Sequence, residues 1–579
     1  MKGKIKFPLA LLAFVSVFSS LYGRSSQEVV GAGSWIFDSL SRVVMDQGRT
    51  DFVFHAPMTL EEVECHLDAV DHESLSADAM RHYDRIRQYI SYDSHLSFGH
   101  ELLKLQAELD VNLEGYYKTE DDLDWVYDYY RQKPFVYLPL KIVLGDWCAM
   151  SMDGRVGITQ GFKIKDDNYT NIPLDVDGID LNFPHDYYFA SGHRITEKTG
   201  FSFIYGTMPS CFNRSLSGSV TQSEYFTGST YADLSIYSSN FRYRLDVNQF
   251  NPDRYMYSHE IAAILFDRLQ LTARESLFVY APLELRYLAP WNIFHGIAAW
   301  KDYETRREGG ESNTCDYMSL KVDFTPARNS RLYGIFVMDQ FQMPNESDDE
   351  NDVTPRGFGF QAGAEFFIPH GDGTFHVWVE GTYTDPYMYI KASPAWSLVR
   401  YYQDLTGPMQ DDFYTEWYGT PWGPDTAGGE LSIGYEKAGV WSVTLDYVFK
   451  ACGEYSGNKI FRNLDWNWKN RDKMPESDSV ASSSDSKYSK WPYPSRDNDG
   501  KVDSTGSSDD AKKRQEYSTP HGSHIEYVNR ISLRGTLTPV ENLTFMIQPS
   551  YTHVTNYGNQ SGRTKSGFEI AVSVSKKFF

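Results

Sequence analysis

The sequence predicts an all-β, antiparallel transmembrane barrel of about 18 strands that follows a small N-terminal helical domain. Three observations predict this fold: an apolar leader, strand-length runs that alternate apolar and polar residues, and a regular alternation of short turns with long polar loops. The composition agrees, because the 579 residues are 15% aromatic but only 41% hydrophobic, below the roughly 45–50% usual for globular domains. A membrane barrel needs apolar residues only at alternate strand positions and collects aromatic rings at its interfaces.

The net charge argues against a nucleic-acid partner. The chain has 55 Lys and Arg against 78 Asp and Glu, a net charge of −23, whereas nucleic-acid binding rests on cationic side chains that meet phosphates. We interpret the negative charge as the solvated surface of a polar lumen and of outer loops.

Residues 1–23 have the layout of a secretory signal peptide. Lys2, Lys4 and Lys6 precede an apolar stretch from Phe7 to Leu21, and small residues near Gly23 suit cleavage. An uncleaved anchor is the weaker alternative, because a spanning helix needs about 20 apolar residues. Export of a barrel predicts the outer membrane of a diderm bacterium, with outer-membrane lipid as a partner.

Residues 24–98 are predicted to form a periplasmic helical domain. Trp35, Leu40 and Val43 recur at helical spacing. Thr59 to Glu62 forms a capping box, in which the two side chains satisfy each other's backbone amides. Ser76 is placed to cap a third helix.

Residues 99–579 are predicted to form the barrel. From Leu103 to Glu114 every odd position is apolar and every even position is polar. A soluble β-sandwich would also alternate, but its apolar face must meet a second sheet, whereas a barrel places that face in lipid. The same pattern returns in the segments Val136–Leu144, Trp441–Phe449 and Ile531–Leu537.

The connections favour the membrane barrel over the sandwich. Short turns are expected at Pro539–Asn542, Lys437–Gly439, Pro369–Gly373, Pro326–Ser330, Asp267–Arg268, Ser238–Asn240 and Asp153–Gly154. Long polar loops lie between them at Thr555–Lys565, Gly453–Glu526, Tyr387–Gly428, Met343–Arg356, Ala281–Cys315 and Met208–Gly228. Short periplasmic turns and long outer loops are typical of transmembrane barrels, and the composition of residues 453–526 predicts a disordered surface loop.

The C-terminus carries a further barrel signal. Apolar residues alternate from Phe568 into Phe578 and Phe579, which resembles the terminal aromatic signal of outer-membrane barrels and makes the barrel assembly machinery an expected partner.

The sequence does not predict an enzyme, a metal site or a cofactor. The five cysteines are far apart and form no C-x-x-C pair. The chain contains no HExxH, no G-x-S-x-G elbow and no phosphate-binding P-loop motif.

One loop mixes acids with aromatic rings, as sugar recognition requires. Flat rings can stack on the apolar face of a sugar while carboxylates accept its hydroxyl protons. The alternative is that the rings belong to an interfacial girdle or plug the pore mouth. The candidate glycan contacts are Asp411, Asp412, Trp417, Tyr418 and Trp422.

Part of the chain, from about residue 34 to 300, resembles the Wzi-type capsule-assembly barrels. The segments that carry the resemblance are Gly200–Gly206, Tyr257–Glu260, Leu285–Pro290 and Ile293–His295. The resemblance implies a helical domain beneath an 18-stranded barrel and association with surface polysaccharide as a lectin-like anchor without catalysis. A porin-like diffusion channel for small hydrophilic solutes is the alternative function, since a barrel of this size can hold an aqueous lumen.

Four polar residues of these motifs are predicted to form a network inside the lumen. They are His259, Glu275, Arg286 and His295. Mutually satisfied polar groups in a wet lumen are a simpler interpretation of them than direct ligand contact.

Overall fold

The computed structural model describes residues 23–91, 96–100, 102–124, 126–127, 131–157, 169–173, 180–227, 229–290, 292–294, 314–340, 356–390, 397–403, 413–461 and 517–579. The predicted signal peptide, apart from its last residue, and most of the predicted disordered loop lie outside these ranges.

Three α-helices occur within the described residues: α1 (Trp35–Asp46), α2 (Leu60–Asp68) and α3 (Ala77–Ser91). The Ser34 side chain caps α1 by accepting the Ile36 N–H. The Thr59 hydroxyl caps α2 by accepting the Glu62 N–H at 3.3 Å, which confirms the Thr half of the predicted capping box. None of the described helices has the length and hydropathy of a membrane span.

The strands and short 3-10 helices complete the secondary structure. The strands are β1 (Val29–Val30), β2 (Met58–Thr59), β3 (Leu96–His100), β4 (Leu103–Ala107), β5 (Asp110–Lys118), β6 (Val136–Leu144), β7 (Cys148–Gly157), β8 (Asp180–Asn182), β9 (Tyr187–Thr196), β10 (Thr199–Gly206), β11 (Thr230–Ser238), β12 (Phe241–Asn251), β13 (Arg254–Leu265), β14 (Leu269–Tyr280), β15 (Thr314–Phe324), β16 (Ser330–Gln340), β17 (Gly357–His370), β18 (Gly373–Thr384), β19 (Val399–Gln403), β20 (Phe413–Trp417), β21 (Thr426–Lys437), β22 (Trp441–Cys452), β23 (Glu526–Val540), β24 (Leu543–Thr555) and β25 (Thr564–Lys577). The 3-10 helices are His72–Ser74, Leu285–Leu288, Lys459–Phe461 and Tyr557–Asn559.

Among the described residues, 18 antiparallel strands close into one barrel. The barrel strands are β4 with β5 as one interrupted strand, β6, β7, β9 to β18 and β21 to β25. The last strand closes on the first, from the Glu569–Lys118 pair to the Lys577–Asp110 pair. Strand β3 pairs with β4, and β8 pairs with β7. Strands β1 and β2 form a separate two-stranded sheet, as do β19 and β20. The predicted fold class is confirmed.

The two ends of the barrel differ in the length of their connections. One end, called the short-turn end, carries turns at residues 145–147, 197–198, 239–240, 266–268, 325–329, 371–372, 438–440 and 541–542. The other end, called the long-loop end, carries the long connections together with one tight turn at residues 252–253.

One predicted turn is wrong. Asp153 and Gly154 lie inside β7, and the chain reverses instead between β6 and β7. At that reversal Gly145 adopts a φ of +54°, a left-handed conformation that glycine accepts at little cost.

The strand faces follow the predicted alternation. On β22 the side chains of Trp441, Val443 and Leu445 are exposed, while the residues between them are half-buried toward the lumen. Inward positions on other strands hold fully buried charged side chains, including Arg242 and Arg331. An apolar outside around a charged inside is the inverse of a soluble sandwich and the expected pattern of a membrane barrel.

This alternation predicts that the cost of an outward charge depends on its depth. Leu533 lies at the middle of β23 and Val540 at its short-turn end, and both side chains face outward. We expect Leu533→Arg to destabilise the barrel by about 2–4 kcal/mol and Val540→Arg by about 0–1 kcal/mol. Denaturant unfolding of the two variants in lipid vesicles measures the difference, and equal costs would contradict the assigned membrane depth.

Candidate functional site

A segment of the N-terminal domain enters the lumen from the short-turn end. This segment, residues 49–59, is called the N-terminal plug. At the rim the Thr50 N–H donates to the Asp267 carbonyl at 2.9 Å. Further in, Phe52 packs with Ala262 on the barrel wall.

A loop enters the lumen from the long-loop end and meets the plug. This loop, residues 207–227, is called the descending loop. Cys211 and Ala56 exchange backbone hydrogen bonds of 3.1 and 3.2 Å, and the Arg214 N–H donates to the Phe54 carbonyl at 2.9 Å. The two segments therefore pair as a short antiparallel bridge inside the barrel.

A buried histidine fixes the plug against the wall. The two ring nitrogens of His55 contact Lys321 Nζ at 2.7 Å and a Glu260 carboxylate oxygen at 2.9 Å. Burial lowers the pKa of His55 from 6.5 to about 3, against the opposing attraction of Glu260. The ring is therefore neutral at pH 7, with Nε2 accepting from Lys321 and Nδ1 facing Glu260.

Ion pairs continue this contact around the lumen. Arg331 pairs with Asp323 at 2.7 Å and donates to the Asn213 side chain in the descending loop at 2.6 Å. Its guanidinium also lies 3.5 Å from the centre of the Phe54 ring. Because each buried charge needs its partner, loss of one member costs about 3–5 kcal/mol.

A second charge cluster ties the first described residues to the wall. Arg24 contacts Glu28 at 2.5 Å and Glu108 at 3.0 Å, and Lys141 contacts the same two carboxylates at 3.0 and 2.6 Å. Glu108 lies where the first barrel strand is interrupted between β4 and β5. The flanking cations lower the pKa of Glu28 despite its burial.

The three aromatic rings among the predicted glycan contacts are buried inside the protein. Tyr418 packs against Phe226 and Tyr317, and its hydroxyl contacts Arg274 at 3.0 Å. Trp417 and Trp422 are also buried. This burial agrees with the interpretation of the rings as part of a plug, and their contact with a glycan stays a prediction. Asp411 and Asp412 lie outside the described residues.

Two residues of the predicted lumen network do form a pair, but on the outer wall. His259 Nε2 lies 2.8 Å from a Glu275 carboxylate oxygen, and the two residues are directly opposed across β13 and β14. They occupy odd-numbered strand positions, like Ile261 and Leu271, whose side chains face outward and are exposed. The lumen assignment is therefore wrong for this pair.

A segment that follows β14 covers this pair. The segment, residues 281–290 and 292–294, is called the outer strap. Arg286 belongs to it and pairs with Glu284 at 2.5 Å, and the Phe294 ring packs 4.5 Å from the His259 ring. His295 lies outside the described residues.

Sequence reasoning missed the residues that do form the lumen network. Glu260, Arg274, Lys321 and Arg331 face inward and are fully buried. Strand parity could have identified them, because each occupies the position next to an outward apolar residue.

One group of side chains could approach a metal ion. Asp153, His185 and Asp186 have ligand atoms within 4.8 Å of one another. Arg155 already contacts the two carboxylates at 3.1 and 2.6 Å, so a cation of the protein offsets one of their two negative charges.

Comparison with known proteins found similar folds among solved structures. No family model and no curated protein matches the sequence. Among solved structures, OprD of Pseudomonas aeruginosa matches with a TM-score of 0.36 at 9% identity, over 82% of this chain and 96% of OprD. DcaP of Acinetobacter baumannii matches with a TM-score of 0.33 at 9% identity, over 82% of this chain and 97% of DcaP.

The chain has the fold of an outer-membrane β-barrel. Its fold is similar to that of Escherichia coli Wzi, described as a carbohydrate-binding β-barrel involved in group 1 capsule assembly. The match has a TM-score of 0.53 at 12% identity and covers 94% of this chain and 98% of Wzi. The expected likeness to Wzi-type barrels is confirmed at the level of the fold.

The buried histidine predicts that the plug loosens in acid. A withdrawn plug takes up a proton at His55 below pH 6.5, whereas the seated plug resists protonation down to about pH 3. The stability of the seated plug is therefore lost as pH falls through this window, by up to about 1.4 kcal/mol per pH unit. Hydrogen exchange at residues 50–58, corrected for intrinsic rates, should accelerate between pH 7 and pH 5.

The matched control is His55→Gln, which keeps a neutral polar side chain and removes the titration. We expect its corrected exchange to vary less with pH than that of the native protein. The same acceleration in both proteins would show that another group controls the plug.

Proposed function

We propose that this protein is a non-conducting outer-membrane barrel that binds surface polysaccharide at its long-loop end without catalysis. The observation that carries the proposal is the insertion of two segments into the lumen, where the N-terminal plug and the descending loop join at Ala56 and Cys211. We propose that these segments close the lumen. A closed lumen leaves outer surfaces as the place for a macromolecular ligand. In barrels of this class the long loops face the cell exterior.

An aromatic platform at the long-loop end has the chemistry to bind a glycan. Tyr517 stacks on His521 with ring centres 3.8 Å apart, and Tyr455 lies 5.5 Å from the same histidine. These three rings are only half-buried, and the carboxylate of the exposed Glu454 lies beside Gly522. Rings with a nearby acceptor suit the apolar faces and hydroxyls of sugars.

A buried carboxyl group fixes this platform in place. Asp425 accepts the His521 N–H at 2.7 Å and the Tyr455 N–H at 3.2 Å. These two donors flank the long insertion on either side, so one side chain joins both of its ends. Burial raises the pKa of Asp425 to about 7.

The likeness to Wzi supports the class of ligand. Wzi is described as carbohydrate-binding, and a shared fold makes an equivalent outer surface available here. The specific contacts are proposed from the residues of this chain, since fold alone does not define function.

The platform predicts the effect of removing its two tyrosines. We expect Tyr455→Ala with Tyr517→Ala to weaken binding to the organism's purified surface polysaccharide by about tenfold, since each aromatic contact contributes about 0.5–1.5 kcal/mol. Tyr551→Ala, a lipid-facing change on β24, is the control and should leave binding unchanged. Absence of binding by the native protein to any surface glycan would contradict the proposal.

Single-channel recording separates this function from the porin-like alternative. A lumen closed by packed segments should give no steady current in a planar bilayer. Large steady currents from the native protein would favour a diffusion channel for small hydrophilic solutes.

A further inference from the structure

The outer strap lies against the outside of the barrel wall. Tyr257, Leu277 and Val279 have the outward parity of lipid-facing residues, yet each is 0% exposed. On the same two strands the outward residues Ile261 and Leu271, which the strap does not cover, are 53% and 41% exposed. The strap therefore covers the outward side chains of this wall near the long-loop end.

The wall supplies hydrogen bonds to the irregular backbone of the strap. The Glu284 N–H donates to the Tyr257 hydroxyl at 3.0 Å, and the Tyr243 hydroxyl donates to the Pro290 carbonyl at 2.8 Å. Within the strap, the Asn292 side-chain amide donates to the Arg286 carbonyl at 2.7 Å. Irregular backbone can lie at membrane depth only where such partners satisfy it.

The two sides of the strap differ in exposure. Tyr287 and Phe294 pack inward and are buried. Leu283, Leu285 and Ile293 point away from the wall and are 51%, 76% and 68% exposed. Three large apolar side chains on one outer side suit hydrocarbon better than water.

The strap also covers a polar pair that lipid would not tolerate. His259 and Glu275 lie within their strands on the outward face, where ionisable groups are costly if they meet hydrocarbon. The Phe294 ring packs on His259 and separates it from the surroundings of the barrel.

We propose that the outer strap is immersed in the outer leaflet of the membrane, where Leu283, Leu285 and Ile293 contact lipid acyl chains. The strap thereby extends the lipid-facing belt of the barrel and anchors the long connection that follows it. This inference is independent of polysaccharide binding, because it concerns the side of the barrel and not its mouth.

Depth-dependent fluorescence quenching tests this placement. Leu285→Cys and, as a second site, Ile293→Cys are labelled with a small environment-sensitive fluorophore in the full chain, in phosphatidylcholine nanodiscs. The native cysteines at positions 65, 148, 211, 315 and 452 are all buried, so unlabelled native protein sets the background. Ile261→Cys on the lipid-facing wall and Glu454→Cys at the long-loop end are the reference positions.

The expected result is loss of fluorescence with doxyl-labelled lipid at positions 285 and 293 equal to the loss at position 261, with protection from aqueous iodide. Iodide quenching equal to that at position 454 would overturn the proposal and place the strap in water. Protection from both quenchers, with energy transfer between labelled copies, would also overturn it and identify the strap as an interface between two copies of this chain.

Discussion

The width of the barrel is the constraint on which the rest of this structure depends. At 18 strands a barrel is wider than the small barrels that inward side chains alone can fill. In this protein two segments enter the lumen, one from each end, and share a backbone bridge at Ala56 and Cys211. The bridge joins a domain that precedes the barrel to a loop that belongs to it.

Buried charge then fixes the inserted segments in one position. Isolated charges in this interior would be costly, and His55, Lys321 and Arg331 each contact a group on another segment. His55 of the plug lies between Glu260 and Lys321 of the wall, and Arg331 joins the wall to Asn213 of the descending loop.

Much of the fold could be predicted from the sequence, because period-two alternation directly reports which strand face meets lipid. The site could not be predicted as well. Asp153 and Gly154 have the composition of a turn but are paired in β7, since an Asp-Gly step is compatible with both structures. His259 and Glu275 were assigned to the lumen for their polarity, although their parity places them outside. The sequence of residues 49–59 has no periodic pattern that predicts their insertion into the lumen, because contacts with residues far away in the chain hold this segment.

The most direct test of the central claim is a disulfide between the two inserted segments. Ala56→Cys places a thiol opposite the native Cys211 across a paired bridge, at a separation that disulfide geometry allows. Mild oxidation in native membranes, followed by digestion and mass spectrometry, should recover the cross-linked peptide, and Cys211→Ser should abolish it. If both thiols instead stay free under oxidation and react with an alkylating reagent from the solvent, the two segments do not meet and the lumen is open.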